Sequence, residues 1–162
     1  MKVLEDLRQE LHLRREGEFD QSNQILSRLA DEESDQPSIQ YQAAWSFDIL
    51  GREETAVTYY EKAIETGLEG EELEDAYVAL GNTYRNLGHY QAASQTLEQG
   101  MKQFPHNRAM QVFYSMTLYN LGNHDNAMTL LLQNLTATSN DPNIMAFHKA
   151  INFYSDKLDE VW

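Results

Sequence analysis

Tyr77-Val78-Ala79-Leu80-Gly81-Asn82-Thr83-Tyr84-Arg85-Asn86-Leu87-Gly88-His89-Tyr90 is the stretch that decides the fold of this chain. Tyr77, Leu80, Gly81 and Tyr84 recur at steps of three and four, the spacing that gathers side chains on one face of an α-helix. Gly88 follows as a residue free to take positive φ, so the chain can reverse there. Beyond it Tyr90, Ala93, Leu97 and Gly100 form a second periodic face, with Ala93 and Gly100 small where two backbones must approach. Pro105 stops that helix, because proline cannot continue one and forces the preceding residue out of helical geometry. Residues 74–107 therefore read as a helical hairpin, its first helix running from about Glu74 to Leu87.

The same frame recurs on either side. Gly17, Gly51, Gly88 and Gly122 lie 34, 37 and 34 residues apart, and a period near 34 marks a stack of helical hairpins. Residues 37–70 place Ala43, Ala44, Phe47, Leu50, Ala56, Tyr60 and Ala63 at the equivalent positions, and residues 108–141 place Tyr114, Ser115, Leu118, Leu121, Ala127 and Leu131 there. Glu69 to Leu73 belong to the three-residue excess of the second copy and are expected in the turn between repeats, where insertion costs least. Residues 3–36 are a degenerate copy: Leu13, Phe19, Leu26 and Leu29 are kept, but Asp6, Gln9 and Glu10 stand where Tyr77, Leu80 and Gly81 stand in the third. Terminal repeats are commonly atypical, having a neighbour on one side only. In residues 143–162, Ile144, Phe147, Ile151, Tyr154, Leu158 and Val161 alternate steps of three and four, predicting a ninth helix that seals the last repeat. Lys149, Asn152, Asp156, Asp159 and Glu160 would face water, and Trp162 would be a packed anchor.

Composition narrows the class of function. The chain has 162 residues and a net charge of −14, from 26 acids against 12 Lys plus Arg. That field opposes phosphate backbones and anionic headgroups, so neither nucleic acid nor membrane is an expected partner. Of the acids, 20 lie in residues 1–75, concentrated in Asp31–Asp35 and Glu69–Asp75; solvated loops are the plain reading and a docking rim for a basic partner the sharper one. No apolar run is long enough to span a bilayer. With acids in its first six residues, Met1–Leu7 does not read as a signal peptide. Cysteine is absent, which removes disulfides and thiolate chemistry, and the cytoplasm is the expected location.

Tyr, Leu-Gly, Tyr, Gly-x-Tyr, Ala and Pro at these offsets, repeated in phase, resemble the tetratricopeptide repeat, strongly over residues 37–141. Leu80–Gly88, Phe104-Pro105 and Phe153–Trp162 look like a group of small bacterial members. The resemblance implies an all-α architecture: a right-handed α-solenoid of about four hairpins (3–36, 37–73, 74–107, 108–141) plus a capping helix (143–162) in one domain, 1–162. It also implies protein–protein interaction, a homodimer, and no enzymatic activity. In that fold the first helix of each repeat lines a concave surface. Carried across residue by residue, the candidate partner-binding groove takes Leu7, Leu11 and Arg15 from the first copy; Tyr41, Trp45 and Ile49 from the second; Val78, Asn82 and Arg85 from the third; and Val112, Met116 and Tyr119 from the fourth. Aromatic, Met and Arg side chains dominate interface energetics, although Tyr41, Trp45 and Met116 could equally be covered by neighbouring helices. The carboxylate clamp of chaperone-binding members is absent, since Val78 and Phe113 occupy two of its positions. Arg85 with Asn82 and Asn86 retains the donors for a single carboxylate.

No catalytic constellation is visible. His12, His89, His106, His124 and His148 show no ligand spacing, and Gly67-Leu68-Glu69-Gly70 lacks the lysine and serine of a phosphate cradle. Asn134-Leu135-Thr136 is a chance sequon. The expectation is a non-enzymatic protein-interaction scaffold without cofactor or metal, self-associating and binding a protein or peptide. The alternative is a peptide or small-ligand sensor.

Overall fold

The computed structural model describes residues 2–162, which form nine α-helices and no strand: α1 (Lys2–Arg15), α2 (Phe19–Glu32), α3 (Pro37–Ile49), α4 (Glu53–Glu65), α5 (Gly70–Asn86), α6 (Tyr90–Gln103), α7 (Arg108–Asn120), α8 (His124–Thr138) and α9 (Pro142–Tyr154). Four hairpins are closed by one repeated device. At Gly88, φ is +78°; the Gly88 N–H donates to the Arg85 carbonyl at 3.0 Å and the His89 N–H reaches back to Tyr84 at 2.9 Å. Glu18, Arg52 and Asn123 donate in the same way to Leu13, Phe47 and Leu118. These bonds satisfy carbonyls left unpaired at a helix end. Because the device recurs at Gly17, the degenerate first copy is in phase with the others.

Odd-numbered helices stack as an inner layer. α3 touches α5 and α5 touches α7, whereas no two even-numbered helices meet, so the stack curves with the odd helices on its concave side. Between the layers the small residues set the spacing. A Cβ on Gly81 would stand 2.4 Å from Leu97 Cγ, and one on Gly100 would stand 2.8 Å from Tyr77 Cβ. Ala44, Ala56, Ala63 and Ala76 are fully buried around Tyr60, and Leu97 and Met110 are sealed against Tyr77. Burying a side chain of Leu97's size stabilises by about 1.5–3 kcal/mol.

Polar packing explains the degenerate first copy. Glu10 occupies the Gly81 position and Ser22 the Ala93 position, yet Glu10 is only 2% exposed. Ser22 Oγ donates to Glu10 Oε1 at 2.9 Å, and Arg14 Nη2 lies 2.6 Å from the same oxygen. A hydrogen-bonded ion pair thus replaces close backbone contact, which is what a buried carboxylate requires.

Two expectations are corrected. Glu71 to Leu73, expected in a turn, lie in α5, which starts at Gly70 rather than near Glu74. Leu68, 4% exposed, is tucked into the core between Gly67 and Gly70, both at positive φ. That anchors the turn early, so the extra residues add a turn of helix. Acids there suit the helix N-terminus, and Glu72 accepts hydrogen bonds from Gln42 and Ser38 of α3. The second correction concerns the capping helix. α9 ends at Tyr154, because Ser155 Oγ takes the Asn152 carbonyl at 2.8 Å, the Ser155 carbonyl accepts from Thr129 Oγ1 at 2.8 Å, and Lys157 Nζ donates to the Phe153 carbonyl at 3.1 Å. Side-chain bonds of this kind compete with helical ones. Leu158 and Val161 therefore fall outside the helix, and Trp162, expected as a packed anchor, stacks on Phe153 at 5.8 Å and Tyr154 at 6.5 Å of α9 itself while remaining 77% exposed.

Nor does α9 seal the stack. Phe147 is 66% exposed and no residue of α9 is fully buried. The cause is local: His148, Lys149 and Asn152 stand where Ala43, Ala44 and Phe47 seat α3, and where Leu80, Gly81 and Tyr84 seat α5. Burying such groups unpaired costs too much, so α9 leans on α8 and does not reach α7.

Candidate functional site

The concave layer divides into a closed half and an open half. In the closed half, the Arg14 guanidinium lies 4.4 Å from the centroid of the Trp45 ring and donates to Gln42 Oε1 at 2.9 Å. Phe19 meets the same indole edge-on at 6.3 Å. Gln42 then donates to Glu72 Oε1 at 3.1 Å, linking α1, α3 and α5. Tyr41 packs against Tyr60 at 6.1 Å; burial, reinforced by the negative charges of Asp75 and Glu72, pushes its hydroxyl up to about 12. Leu7 rests on the Leu26, Leu29 and Ile39 cluster. Of the groove candidates here, Leu11, Arg15 and Ile49 face solvent, whereas Leu7, Tyr41 and Trp45 are half-buried. Arg15 turns to solvent, and it is Arg14 that meets Trp45.

The open half lies at α5, α7 and α8. A cleft of about 520 Å³ is lined by Met116 and Tyr119 of α7, Met128 and Leu131 of α8, and Arg85 of α5. Met116 is 40% exposed, Tyr119 64% and Leu131 37%. Leu131 is the informative one: its equivalents Leu26, Tyr60 and Leu97 are completely buried. The cleft opens here because α9 stands away from α7. Val112 and Val78 are half-buried, with Val78 against the Tyr77 cluster.

Arg85 sits at the edge of this apolar surface. Its guanidinium donates only to carboxamide oxygens, Asn82 at 3.3 Å and Asn86 at 3.2 Å, and no carboxylate lies within ion-pair distance among the described residues. In a chain of net charge −14 this is a cation with its charge unused. Nearby, Asn120 Oδ1 is buried without a hydrogen-bond partner, and Tyr119 packs on His124 at 4.7 Å. The arrangement offers van der Waals surface, one cationic fork and one free acceptor. Among the described residues no cluster of His, Asp and Glu is arranged to hold a metal ion, and no helix is long and apolar enough to cross a membrane.

A family model for the tetratrico peptide repeat matches residues 37–158, three quarters of the chain. The chain belongs to the tetratricopeptide-repeat family. Its first hairpin, with the Glu10–Arg14–Ser22 cluster, lies outside the matched stretch. No curated protein sequence matches significantly. Among solved structures, MamA residues 41-end from Desulfovibrio magneticus RS-1 superposes with a TM-score of 0.76 at 18% identity, covering 98% of this chain and 86% of that one. A MamA RS-1 double mutant gives 0.74 at 15% identity, covering 98% and 97%. YrrB, described as a tetratricopeptide protein with an unusual peptide-binding site, gives 0.69 at 17% identity, covering 92% and 78%. At these identities the likeness is one of fold. A tetratricopeptide solenoid is a protein–protein interaction module, and this one departs from a regular stack at the seat of α9.

The Met128 and Leu131 contribution was missed because α8 belongs to the outer layer. The signal was present: two polar residues, His148 and Asn152, stand where Leu80 and Tyr84 pack on the second helix of the preceding hairpin.

Proposed function

We propose that this tetratricopeptide protein is a non-enzymatic, cytoplasmic interaction module whose α5–α7–α8 cleft takes a peptide segment bearing an apolar side chain next to a carboxylate. The observation that carries the reading is Leu131, a core position elsewhere in the stack, standing open beside Met116, Tyr119 and an Arg85 that has no carboxylate. A guanidinium forks onto a carboxylate with two hydrogen bonds, while the Met-lined wall adapts to an apolar anchor. The net charge of −14 draws in segments that are basic outside that one carboxylate. The module also self-associates. Panning a phage-displayed peptide library tests the cleft: wild type should select an apolar residue adjacent to Asp or Glu, Arg85→Glu should lose the acid preference, and Met116→Glu should select nothing. Identical selections from all three proteins would refute it.

A second reading, a sensor for a small ligand, is favoured by the cleft's volume of about 520 Å³ and the unpartnered Asn120 oxygen, since ligand pockets span about 300–1,000 Å³ with few polar groups. A metabolite panel in a thermal-shift assay tests it, because a ligand of the folded state raises Tm.

A further inference from the structure

We propose that the solvent-facing stripe of α1 formed by Leu4, Arg8, Leu11 and Arg15 is a docking surface for an acidic amphipathic helix of another protein. The site goes beyond the cleft reading above and lies at the opposite end of the stack. On a helical projection the four residues follow one another at steps of four, three and four and fall within about a sixth of the circumference. All four are exposed, Leu4 by 62% and Leu11 by 46%. The arc is basic as well as apolar. Neither Arg8 nor Arg15 has a carboxylate within ion-pair distance among the described residues, whereas Arg14 pairs with Glu10, and Arg28 with Asp6 and Glu32. Asp6 and Glu10 thus turn away from the stripe. The nearest acid on the helix, Glu5, stands off the arc beyond Arg8 and His12. The hairpin that carries the stripe lies outside the family match of residues 37–158, so the stripe is a feature of this chain rather than of the repeat.

Charge and period identify the occupant. Most of a surface with net charge −14 repels an acidic partner, and two unpaired guanidinium groups on one apolar stripe give such a partner a local foothold. Leu4 and Leu11, like Arg8 and Arg15, are seven residues apart, about 10.5 Å along the axis. That is the repeat by which one helix reads another, with apolar side chains interdigitating and flanking charges pairing across the seam. The stripe offers side chains only, because the backbone groups of α1 are engaged within the helix. An extended segment laid on it would bury its own amides and carbonyls without partners, while a helix has already satisfied them. The complement is therefore a helix with an apolar seam and Asp or Glu on the flank that meets Arg8 and Arg15. A second α1 is the wrong partner, since a two-fold contact would set these arginines against their own copies.

The test measures fluorescence anisotropy of a labelled three-heptad peptide titrated with the whole chain in 0.15 M salt, where distant charges are screened beyond about 8 Å. The probe carries Leu at its a and d positions and Glu at e and g, charges that keep it from pairing with itself. Wild type should bind it at micromolar concentration. Arg8→Glu with Arg15→Glu should weaken binding roughly 30-fold, two exposed ion pairs being replaced by two repulsions, and a Lys-for-Glu probe should prefer that variant to wild type. Leu4→Gln with Leu11→Gln should weaken the Glu probe at least about 10-fold. Both double variants should keep helicity, Tm and peptide selection by the cleft, and Met116→Glu should bind the probe as wild type does. Absence of binding to wild type at millimolar concentration, a Glu probe indifferent to the arginine changes, loss of the probe in Met116→Glu, or sedimentation showing a wild-type dimer that dissociates when Leu4 and Leu11 are changed would each overturn the proposal. The cleft reading fails separately, since peptide selection is read on Arg85 and Met116.

Discussion

Replacing Gly81 with alanine tests whether the approach of α5 to α6 is as tight as the structure shows. The new Cβ would stand 2.4 Å from Leu97 Cγ and 2.6 Å from Leu97 Cδ2. Leu97 has no solvent exposure and is held against Tyr77 and Met110, so it cannot swing aside. Overpacking costs about 1–3 kcal/mol, and a contact this short belongs at the upper end. Alanine in a helix interior recovers about 1 kcal/mol relative to glycine, leaving a net loss of about 1–2 kcal/mol. The decisive measurement is the same change in a Leu97→Ala background. Leu97→Ala alone should cost about 2–5 kcal/mol, but with the obstructing atoms gone Gly81→Ala should then stabilise by up to ~1 kcal/mol through propensity. Urea titration followed by circular dichroism, with unchanged m-values, reads all four corners of the cycle. If Gly81→Ala stabilises the wild-type protein, or if its effect has the same sign in both backgrounds, the close-packing argument is wrong.

Arg14→Met leaves Glu10 buried without its countercharge and should cost about 3 kcal/mol in urea denaturation; Glu10→Gln, which keeps an acceptor for Ser22, should cost less. Asp48 is held above the ordinary aspartate value of 3.8, chiefly by burial and despite hydrogen bonds from Tyr60 and Thr83. The folded state therefore holds its proton more tightly than the unfolded chain, and stability falls as pH rises from 3.8 through the folded value. Asp48→Asn should accordingly be more stable than wild type at pH 7, with the gain disappearing as the medium is acidified to about pH 4; a gain independent of pH would show another cause. Asp141→Ala removes the acceptor for the Asn143 and Ile144 amides and should loosen α9 by about 1 kcal/mol, visible as faster hydrogen exchange in α9 alone. Replacing His148, Lys149 and Asn152 with Leu, Ala and Leu restores the residues that seat a regular inner helix. This triple variant should raise Tm, bury Leu131 and abolish peptide selection by the cleft.

The hairpins were legible because they are written in local terms. Spacings of three and four residues, a glycine after each first helix and a proline or capping residue at the exits act within a few residues of themselves, so phase and fold class follow from reading along the chain. What could not be read that way involved distances between elements. That Glu10 is buried depends on Ser22 and Arg14 meeting it across a hairpin. That Trp45 is covered depends on Arg14 arriving from the neighbouring helix, and Leu68 anchors the start of α5 only because the core has room for it. The groove candidates were drawn evenly from four inner helices, but packing closed the half around Trp45 and opened the half around Tyr119. The apolar periodicity of α9 correctly signalled a helix and wrongly signalled a cap, because periodicity does not say which side a neighbour will take. The local sequence alone determined the repeat, its phase and the tetratricopeptide fold, since those rest on backbone geometry and short-range spacing. Only the tertiary structure decided where the surface stays open, because exposure of Leu131 depends on whether a helix some twenty residues away can afford to bury His148 and Asn152 against it.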